Sequence, residues 1–421
     1  MNITGSNCWQ TFNQTLSMKR LLLFPLVIFL AFSCKAPNSQ NEAVAIIQVD
    51  PDKAIRINRL DIMSLDRIIR LQNPPDENLG IVDDLNFIPN GYLLATTNQG
   101  LIVFSDDGTF KKQVGHFGRG PGEYLSVAGA TINERYIRVL DRSGQKIIRY
   151  DHDGRFINEF PMGMWGQSFV GINGKVIVYT GMMPSEQNMR LFLYDSNFNM
   201  VDAVMELDPE RLFLNVMDRN FFFYNGNLRF LWVYSNNIYS LRVDRNTLRK
   251  EPVYQIDFGQ RSIPEEFFQR QFSDIMEFEM ALRGNPFAGR IAVYFEDDGH
   301  VWFGFKCFMR VKYMWAIYSK ELKRTIIVDS VIDDVLFKGT EYNPADEWFT
   351  KFFHNNQIYL VMDAWQFIER MKKVQEALSP EQWAEFRKDN PEVAEIFETT
   401  TKNDAPLIFV FDVNLQNLKF H

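Results

Sequence analysis

The residues that carry most enzymatic and metal chemistry are few in this chain and widely spaced. The 421-residue sequence holds five histidines and three cysteines. No HExxH, CxxC or GxSxG pattern occurs, so the common zinc, redox and nucleophile motifs are missing. The sequence therefore predicts no catalytic residues, no resident cofactor and no metal ligands. The histidines are His116, His152, His300, His354 and His421.

Acidic residues that precede a glycine are the remaining candidates for metal chemistry. Asp106-Asp107, Asp297-Asp298 and Asp151-His152-Asp153 all have this arrangement. Aspartate caps tight turns and glycine supplies a positive φ, so hairpin turns are the favoured interpretation. A Ca²⁺ loop at Asp151 and Asp153 is the alternative, but it lacks a bidentate glutamate at the required downstream spacing.

The most distinctive segment is the glycine-rich run from Gly115 to Tyr124, which reads GHFGRGPGEY. As structure, its glycines permit positive φ and close backbone approach, and an Arg119–Glu123 pair would pin the turn. As function, His116, Arg119 and Glu123, with Tyr124 beside them, would hold an anionic or polyhydroxyl ligand. It is not a phosphate loop, because no Lys-Ser/Thr pair and no helix follow it.

Short alternating strands rich in aromatic residues recur through the chain about every 45 residues. Phe104, Tyr150, Tyr194 and Tyr239 hold equivalent positions, 46, 44 and 45 residues apart. The 38 Phe, 15 Tyr and 8 Trp suit strands that stack in layers. Six copies of about four strands predict an all-β fold, a six-bladed β-propeller. A pair of β-sandwiches is the competing arrangement.

The sixth copy lacks an outermost strand. The alternating segment at residues 54–60 would supply it and close the ring by pairing the two ends of the chain. Two further segments interrupt the repeats with helical patterns. We expect one helix from Ile263 to about Arg283 and a second helical insertion near 364–398, with a capping box at Ser379.

Aromatic and methionine residues provide further binding candidates. Trp165 lies in a loop between two predicted strands, and Met182 lies in another, where a propeller face carries binding residues. The other tryptophans of the repeats are expected to pack between blades. These are Trp232, Trp302, Trp315 and Trp348.

The N-terminal region carries an export pattern. Lys19 and Arg20 precede an apolar run at 21–30 that is too short to span a bilayer, and Met18 is the expected start. The following Ala-Phe-Ser-Cys34 resembles a bacterial lipoprotein box, whose cysteine becomes lipidated. A conventional signal peptide cut near Ser33 is the alternative. We expect a leader at 1–33, a lipidated tether at 34–47 and a propeller at 48–421.

The glycine-rich run also carries a family resemblance. Gly118 to Tyr124 matches the G-R-G-P-G-E-aromatic segment of exported six-bladed β-propeller lipoproteins of diderm bacteria, which are related in architecture to NHL-repeat propellers. Val253–Gly259 and Asn403–Ile408 match as well, with Ala405 in place of the usual Asn. The chain resembles this family over residues 48–421. The resemblance implies the fold and an outer-membrane or cell-envelope location, with attachment through a lipid on Cys34, and it brings no catalytic residues.

Two functions fit these observations. The first is a binding or scaffold module for a protein, peptide or glycan. The second is a propeller enzyme of the lactonase, lyase or glycan-processing type, with its site and a divalent cation at the central channel. Converging carboxylates and a histidine would favour the enzyme, and an aromatic-rimmed mouth would favour binding. The net charge of −8 gives no electrostatic footprint for nucleic acid.

Overall fold

The computed structural model describes residues 44–75, 77–181, 183, 185, 187–206, 219–343, 351–416 and 418–420. The leader, Cys34, Met182 and Trp348 lie outside the described residues, so the predictions made for them are not addressed by the structure. Three strands precede the first repeat. They are β1 (Ala45–Gln48), β2 (Ile55–Asn58) and β3 (Met63–Arg70).

The first three repeats each fold as a four-stranded antiparallel meander, in chain order from the inside outward. Blade 1 holds β4 (Val82–Ile88), β5 (Gly91–Thr96), β6 (Gly100–Ser105) and β7 (Phe110–Val114). Blade 2 holds β8 (Gly129–Ile132), β9 (Ile137–Asp141), β10 (Lys146–Tyr150) and β11 (Phe156–Pro161). Blade 3 holds β12 (Ser168–Ile172), β13 (Lys175–Tyr179), β14 (Met189–Tyr194) and β15 (Met200–Glu206).

The remaining repeats form three larger or composite blades. Blade 4 holds β16 (Phe221–Tyr224), β17 (Asn227–Phe230), β18 (Asn237–Asp244) and β19 (Thr247–Asp257). Blade 5 holds β20 (Ala288–Glu296), β21 (His300–Cys307), β22 (Lys312–Ser319), β23 (Arg324–Asp333) and the short β24 (Thr340–Tyr342). Blade 6 holds β25 (Lys351–His354), β26 (Gln357–Met362) and β27 (Leu407–Val413). The predicted six-bladed propeller is confirmed.

All six inner strands run in the same direction, because each is the first strand of a four-stranded antiparallel blade. In blade 5 the short β24 is added to these four, and in blade 6 the fourth strand is β3. The propeller therefore has two distinct faces. We call the face where the inner strands begin the start face, and the opposite one the end face. Connections from one blade to the next lie on the start face, and the first hairpin of each blade lies on the end face.

The ring closes where the beginning of the described chain meets its end. β3 completes blade 6 by pairing antiparallel with β27, from Arg70 opposite Leu407 to Met63 opposite Val413. Closure by an N-terminal strand is confirmed, but the assignment to residues 54–60 was wrong. β2, within that segment, instead pairs in parallel with β23 of blade 5, just as β1 pairs in parallel with β19 of blade 4. Sequence alternation marks a strand but does not specify its partner.

The helical insertions appear where the sequence predicts them, with one change. The expected single helix at 263–283 is two helices, α1 (Glu265–Phe268) and α2 (Ile275–Leu282). The break arises because the Asp274 side chain accepts from the Glu277 amide and starts a new helix there. The second insertion comprises α3 (Ala364–Ala377), α4 (Pro380–Asp389) and α5 (Pro391–Thr399), and the capping box at Ser379 is present.

Large aromatic side chains fill the layers between blades. Trp302 and Trp315 are 2% and 3% exposed and lie edge to face with ring centroids 4.9 Å apart. Both belong to one core between blades 5 and 6, which also takes up the inner faces of α3, α4 and α5. The predicted packing of these two tryptophans is therefore confirmed.

A buried ion pair ties the closing segment to the ring. Arg59, between β2 and β3, lies 3.0 Å from the Asp333 carboxylate at the end of β23, and both side chains are fully buried. The Arg59 guanidinium also lies over the rings of Tyr342 and Phe411, at 4.8 and 5.0 Å. Asp333 accepts hydrogen bonds from two further backbone amides, so its charge is fixed in position.

We expect Arg59→Met to lower the free energy of unfolding by about 3–5 kcal/mol, because it leaves the Asp333 charge buried without its partner. Arg56→Met is the matched control, since Arg56 forms an exposed ion pair with Glu341 at 3.4 Å. That variant should cost less than about 1 kcal/mol. Urea denaturation of the two variants measures the difference, and equal losses would contradict the role assigned to Arg59.

Candidate functional site

The inner strands enclose a central channel of about 2130 Å³ that runs between the two faces. Pockets for single small molecules are typically about 300–1,000 Å³, so this space is large enough for a chain-like ligand. Much of the wall is aromatic, with residues contributed by at least five blades. The aromatic residues include Phe87, Phe169, Phe223, Tyr224, Phe295 and Phe353.

An arginine crosses the channel at the start face. Arg219 lies immediately before the inner strand of blade 4, yet its Nη2 donates to the Asp83 carbonyl oxygen of blade 1 at 3.2 Å. Its guanidinium also lies 3.9 Å from the ring centre of Phe352 in blade 6. The side chain thus links three blades and narrows this end of the channel.

At the end face, the channel wall carries an exposed aromatic ring. Phe223 belongs to the inner strand of blade 4, and it is 57% exposed although it lies within a strand. Nearby, Asn225, Asn355 and Asn356 adopt positive φ values of 45°, 46° and 62° in the hairpin turns. Asparagine tolerates this conformation better than most residues, so the turns place carboxamides around an aromatic mouth.

A second aromatic group holds the opposite side of the same mouth. The imidazole of His354, at the end of the inner strand of blade 6, stacks on Phe87 of blade 1 with ring centroids 4.0 Å apart and planes 9° apart. Burial lowers the pKa of His354. A neutral imidazole therefore offers an uncharged stacking surface at neutral pH.

Tyr224 is held rigidly at the rim between blades 4 and 5. Its hydroxyl donates to Asp298 Oδ1 at 2.8 Å, and the neighbouring Asn225 side chain donates to the same oxygen at 2.7 Å. The Lys320 ammonium lies 4.1 Å from the Tyr224 ring centre. Burial, together with the Asp298 carboxylate, raises the pKa of Tyr224 to about 12. The Tyr224 ring is thus fixed in orientation, and its hydroxyl stays protonated near neutral pH.

The buried carboxylate of Glu296 lies beneath this rim and pairs with two cationic side chains. Glu296 accepts from Arg229 Nε and Tyr294 Oη at 2.7 Å each, and from Lys320 Nζ and Tyr254 Oη at 2.8 Å each. Burial by itself raises the pKa of Glu296. The hydrogen bonds from Arg229, Lys320 and Tyr294 outweigh that effect and hold the pKa below its ordinary value.

The glycine-rich segment lies on the start face, between β7 of blade 1 and β8 of blade 2, and outside the channel wall. His116 Nε2 lies 3.0 Å from Glu123 Oε1, and the Gly120 amide donates to Glu123 Oε2 at 2.6 Å. The Gly120 bond, followed by His116, lowers the pKa of Glu123. The expected Arg119–Glu123 pair is therefore wrong, since His116 takes that place and Arg119 is exposed.

The buried side chain of Tyr124 anchors the glycine-rich segment to blade 1. It is fully buried, and its hydroxyl donates to the Val114 carbonyl and accepts from the Leu101 amide, at 3.1 Å each. Two glycines are needed for this close turn. A Cβ on Gly118 would lie 2.0 Å from Glu123 Oε2, and Gly122 has a φ of +74°. These contacts support the structural interpretation, and ligand binding by His116, Arg119 and Glu123 stays a prediction.

Trp165, the one remaining predicted site residue that the structure describes, lies apart from the channel. Trp165, in the connection from β11 to β12, is half-buried with the Arg142 guanidinium 5.7 Å from its ring centre. It does not line the channel. The residues that do form the end-face mouth were missed as a site. The run Phe221-Phe222-Phe223-Tyr224 was visible in sequence, but nothing in its order shows which strand borders the axis.

Within the parts of the chain that the structure describes, no three His, Cys, Asp or Glu side chains are grouped so that they could hold a metal ion. Among the same residues, none of the helices has the length and apolar character needed to cross a bilayer.

The sequence matches the model of a domain of unknown function, DUF4934, over residues 46–412. The chain belongs to the DUF4934 family. No curated protein sequence matches it. Among solved structures, this DUF4934 chain is similar to a protein from Bacteroides fragilis NCTC 9343 that is described as exported. The TM-score is 0.66 and the identity 15%, over 88% of this chain and all of that one.

A second similar structure is a member of the DUF4221 family from Bacteroides vulgatus ATCC 8482, with 10% identity and a TM-score of 0.48, over 84% of this chain and 98% of that one. At these identities the likeness concerns the fold. The similarity to the Bacteroides fragilis protein confirms the predicted resemblance to six-bladed propeller proteins at the level of the fold.

We expect Glu296→Gln to lower the free energy of unfolding by about 3 kcal/mol at neutral pH, because Arg229 and Lys320 lose their buried counter-charge. The pKa of Glu296 is depressed in the folded protein, so its contribution is complete above the ordinary glutamate value of about 4.3 and is lost as the pH falls through the folded-state pKa. The gap between wild type and variant should therefore narrow in acid.

Urea denaturation at several pH values measures this gap. Glu251→Gln is the matched control, because Glu251 lies 3.9 Å from Arg242 in an exposed pair on blade 4. A gap that stays constant with pH would show that the Glu296 charge does not stabilise the fold.

Proposed function

We propose that this protein is an exported binding or scaffold module of the cell envelope, which takes a protein, peptide or glycan segment at the end-face mouth of its channel. The observation that carries the proposal is the exposed Phe223 ring inside a channel of about 2130 Å³. Exposed aromatic surface inside a large concave space, rimmed by polar groups, is characteristic of a binding site.

The chemistry of the mouth supports the choice of ligand class. Aromatic faces at Phe223 and the Phe87–His354 stack provide apolar contact. The Asn355 carboxamide lines the same space and offers a hydrogen-bond donor and an acceptor, whereas the amides of Asn225 and Asn356 already donate to Asp298 and to the Val413 carbonyl oxygen. Peptides and oligosaccharides both combine apolar surface with dense hydrogen-bonding groups. The rigid bonds that hold Tyr224 reduce the entropy lost when a ligand binds.

The export half of the proposal is supported by the sequence pattern and by the exported neighbour. The apolar run at 21–30 and the box that ends at Cys34 are typical of a lipoprotein signal. We propose that lipidation at Cys34 tethers the propeller to the membrane through the polar segment that follows.

Lipidation is tested by growing cells with radiolabelled palmitate. We expect the label to enter the wild-type protein and not Cys34→Ala, since the thiol is the acceptor. Cys8→Ala is the control, because Cys8 precedes Met18 and should not change labelling. Equal label in wild type and Cys34→Ala would remove the lipid anchor from the proposal.

Ligand binding is tested on arrays of cell-envelope oligosaccharides and of random peptides. We expect saturable binding of wild-type protein to at least one class, and a loss of at least tenfold in affinity with Phe223→Ser, about 1.4 kcal/mol. Phe156→Ser is the matched control, because Phe156 is 42% exposed on the outer strand of blade 2, away from the channel. Binding that depends equally on both rings, or no binding to either array, would contradict the proposal.

A further inference from the structure

Blades 4 and 5, with the segments packed on them, carry exposed apolar side chains outside the channel. Six of these side chains are between 44% and 65% exposed, and none lines the channel wall. They are Ile46 on β1, Ile55 on β2, Met276 and Met280 on α2, and Met309 and Val311 in the hairpin between β21 and β22. We call these six side chains the apolar patch.

The two methionines of α2 share its outer face. Met276 and Met280 are four residues apart, so they lie one turn from each other on the helix surface. The inner face holds Phe278, which is fully buried in one apolar cluster with Phe308 of blade 5. The Gly284 amide, just after α2, donates to the Phe308 carbonyl oxygen at 3.4 Å. The helix therefore ends beside the hairpin of the patch.

Hydrogen bonds to Glu279 hold α2 in this orientation. Glu279 accepts from Arg290 Nη1 at 2.9 Å and from Lys306 Nζ at 2.8 Å, and the Tyr234 hydroxyl also donates to it. Burial by itself raises the pKa of Glu279, but the hydrogen bonds from Lys306 and Tyr234 outweigh that effect and lower the pKa. These bonds reach both blades, so the fold itself directs the methionines of α2 outward.

The carboxylate of Asp52, between β1 and β2, joins the N-terminal part of the patch to the rest. It accepts from Arg261 Nη2, ahead of α1, at 2.7 Å. It also accepts from Arg310 Nη2, at the tip of the hairpin, at 3.5 Å. The three chain segments that carry the patch therefore meet at one carboxylate. Soluble proteins rarely leave apolar side chains grouped in this way in contact with water unless the surface binds something.

Cations that neighbour the patch in sequence are paired with carboxylates. Arg56, next to Ile55, lies 3.4 Å from Glu341. Lys312, at the end of the hairpin, lies 3.3 Å from Asp329. Because these ion pairs neutralise the cations, a strongly charged partner gains little at this surface. An uncharged apolar phase is the better match.

The chain ahead of β1 indicates what covers the patch. Cys34, the proposed lipid acceptor, is ten residues ahead of Val44, where the described chain begins. A flexible segment of this length spans about 18 Å on average, and it reaches no more than about 35 Å when extended. The bilayer surface therefore lies within this distance of β1. The side of the ring that holds β1 and β2 is the side nearest the membrane.

We propose that the apolar patch docks on the surface of a phospholipid bilayer, with its side chains inserted at the boundary between head groups and acyl chains. The inference rests on the proposed lipid anchor at Cys34, which brings the patch to the membrane. Docking adds apolar burial to the attachment that the lipid gives. α2 and the hairpin between β21 and β22 lie on the start face, so a docked propeller keeps its end-face mouth open to ligand.

Docking is tested with the chain that begins at Lys35, because it contains every strand and helix of the described fold and a single cysteine, the buried Cys307. A histidine tag ahead of Lys35 attaches this chain to phosphatidylcholine vesicles that contain a nickel-chelating lipid, which replaces the natural anchor. Met280→Cys carries a bimane dye, and doxyl-labelled lipids quench the dye if it enters the bilayer. Met200→Cys is the matched control, because Met200 is 40% exposed on the outer strand of blade 3.

We expect the doxyl lipids to lower the dye fluorescence at position 280 by at least about twofold, and to have much less effect at position 200. Because apolar insertion is not screened by salt, the quenching should persist at about 0.5 M NaCl. Met276→Gln together with Met309→Gln should restore most of the fluorescence at position 280. Met183→Gln, at a side chain 42% exposed on blade 3, is the control and should leave the quenching unchanged.

The proposal is overturned if the dyes at positions 280 and 200 are quenched equally, or if neither is quenched. Dimers of the unattached chain, without quenching on vesicles, would assign the patch to a second copy and equally overturn the docking. Palmitate label that depends on Cys34, with no quenching at position 280, would remove the docking alone. Quenching that persists while palmitate enters wild type and Cys34→Ala equally would instead count against the proposed anchor.

Discussion

The antiparallel pairing of β3 with β27 is the constraint on which the rest of the molecule depends. A propeller blade cannot bury its two faces alone, so each blade relies on its neighbours and the series must close on itself. Here the closing strand comes from the N-terminal side and the other strands of blade 6 come from the far end of the chain. The Arg59–Asp333 pair fixes the segment that leads into the closing strand, where a slip of register would expose both ends of the sheet.

Closure also explains why a channel exists. Six blades packed through large aromatic side chains leave their inner edges apart at the axis, and those edges line the channel. The same arrangement lets charges lie just behind the wall. Glu296 is the example, because it balances the cations Arg229 and Lys320 under the end-face rim.

Much of the architecture could be predicted from sequence because it depends on repetition. The spacing from Phe104 to Tyr239 gives the blade period, and Ser379 marks the start of α4 without reference to any neighbour. The identity of the closing strand could not be predicted in this way. The segments that hold β2 and β3 both alternate, and only the three-dimensional path distinguishes a parallel addition to blade 5 from the antiparallel closure of blade 6.

The site was harder still to predict, because its residues come from strand edges spread over the whole chain. Phe87 and His354 stack although 267 positions separate them in sequence. The conspicuous motif, the glycine-rich run, is instead explained by the turn that Tyr124 and Glu123 hold together. Local turns can be predicted from the sequence because they depend on neighbouring residues. The channel cannot, because it forms only when the six blades assemble into a ring.

The parallel strands β1 and β2, laid on the outer edges of blades 4 and 5, have a mechanical consequence. Any pull on the chain ahead of Val44 reaches β1 first, then β2, and only afterwards the strand that completes the ring. Because each of the two strands is held by only a few backbone pairings, β1 and β2 can detach one after the other while all six blades stay together. Their detachment would leave the pairing of β3 with β27, and with it the closed ring, intact.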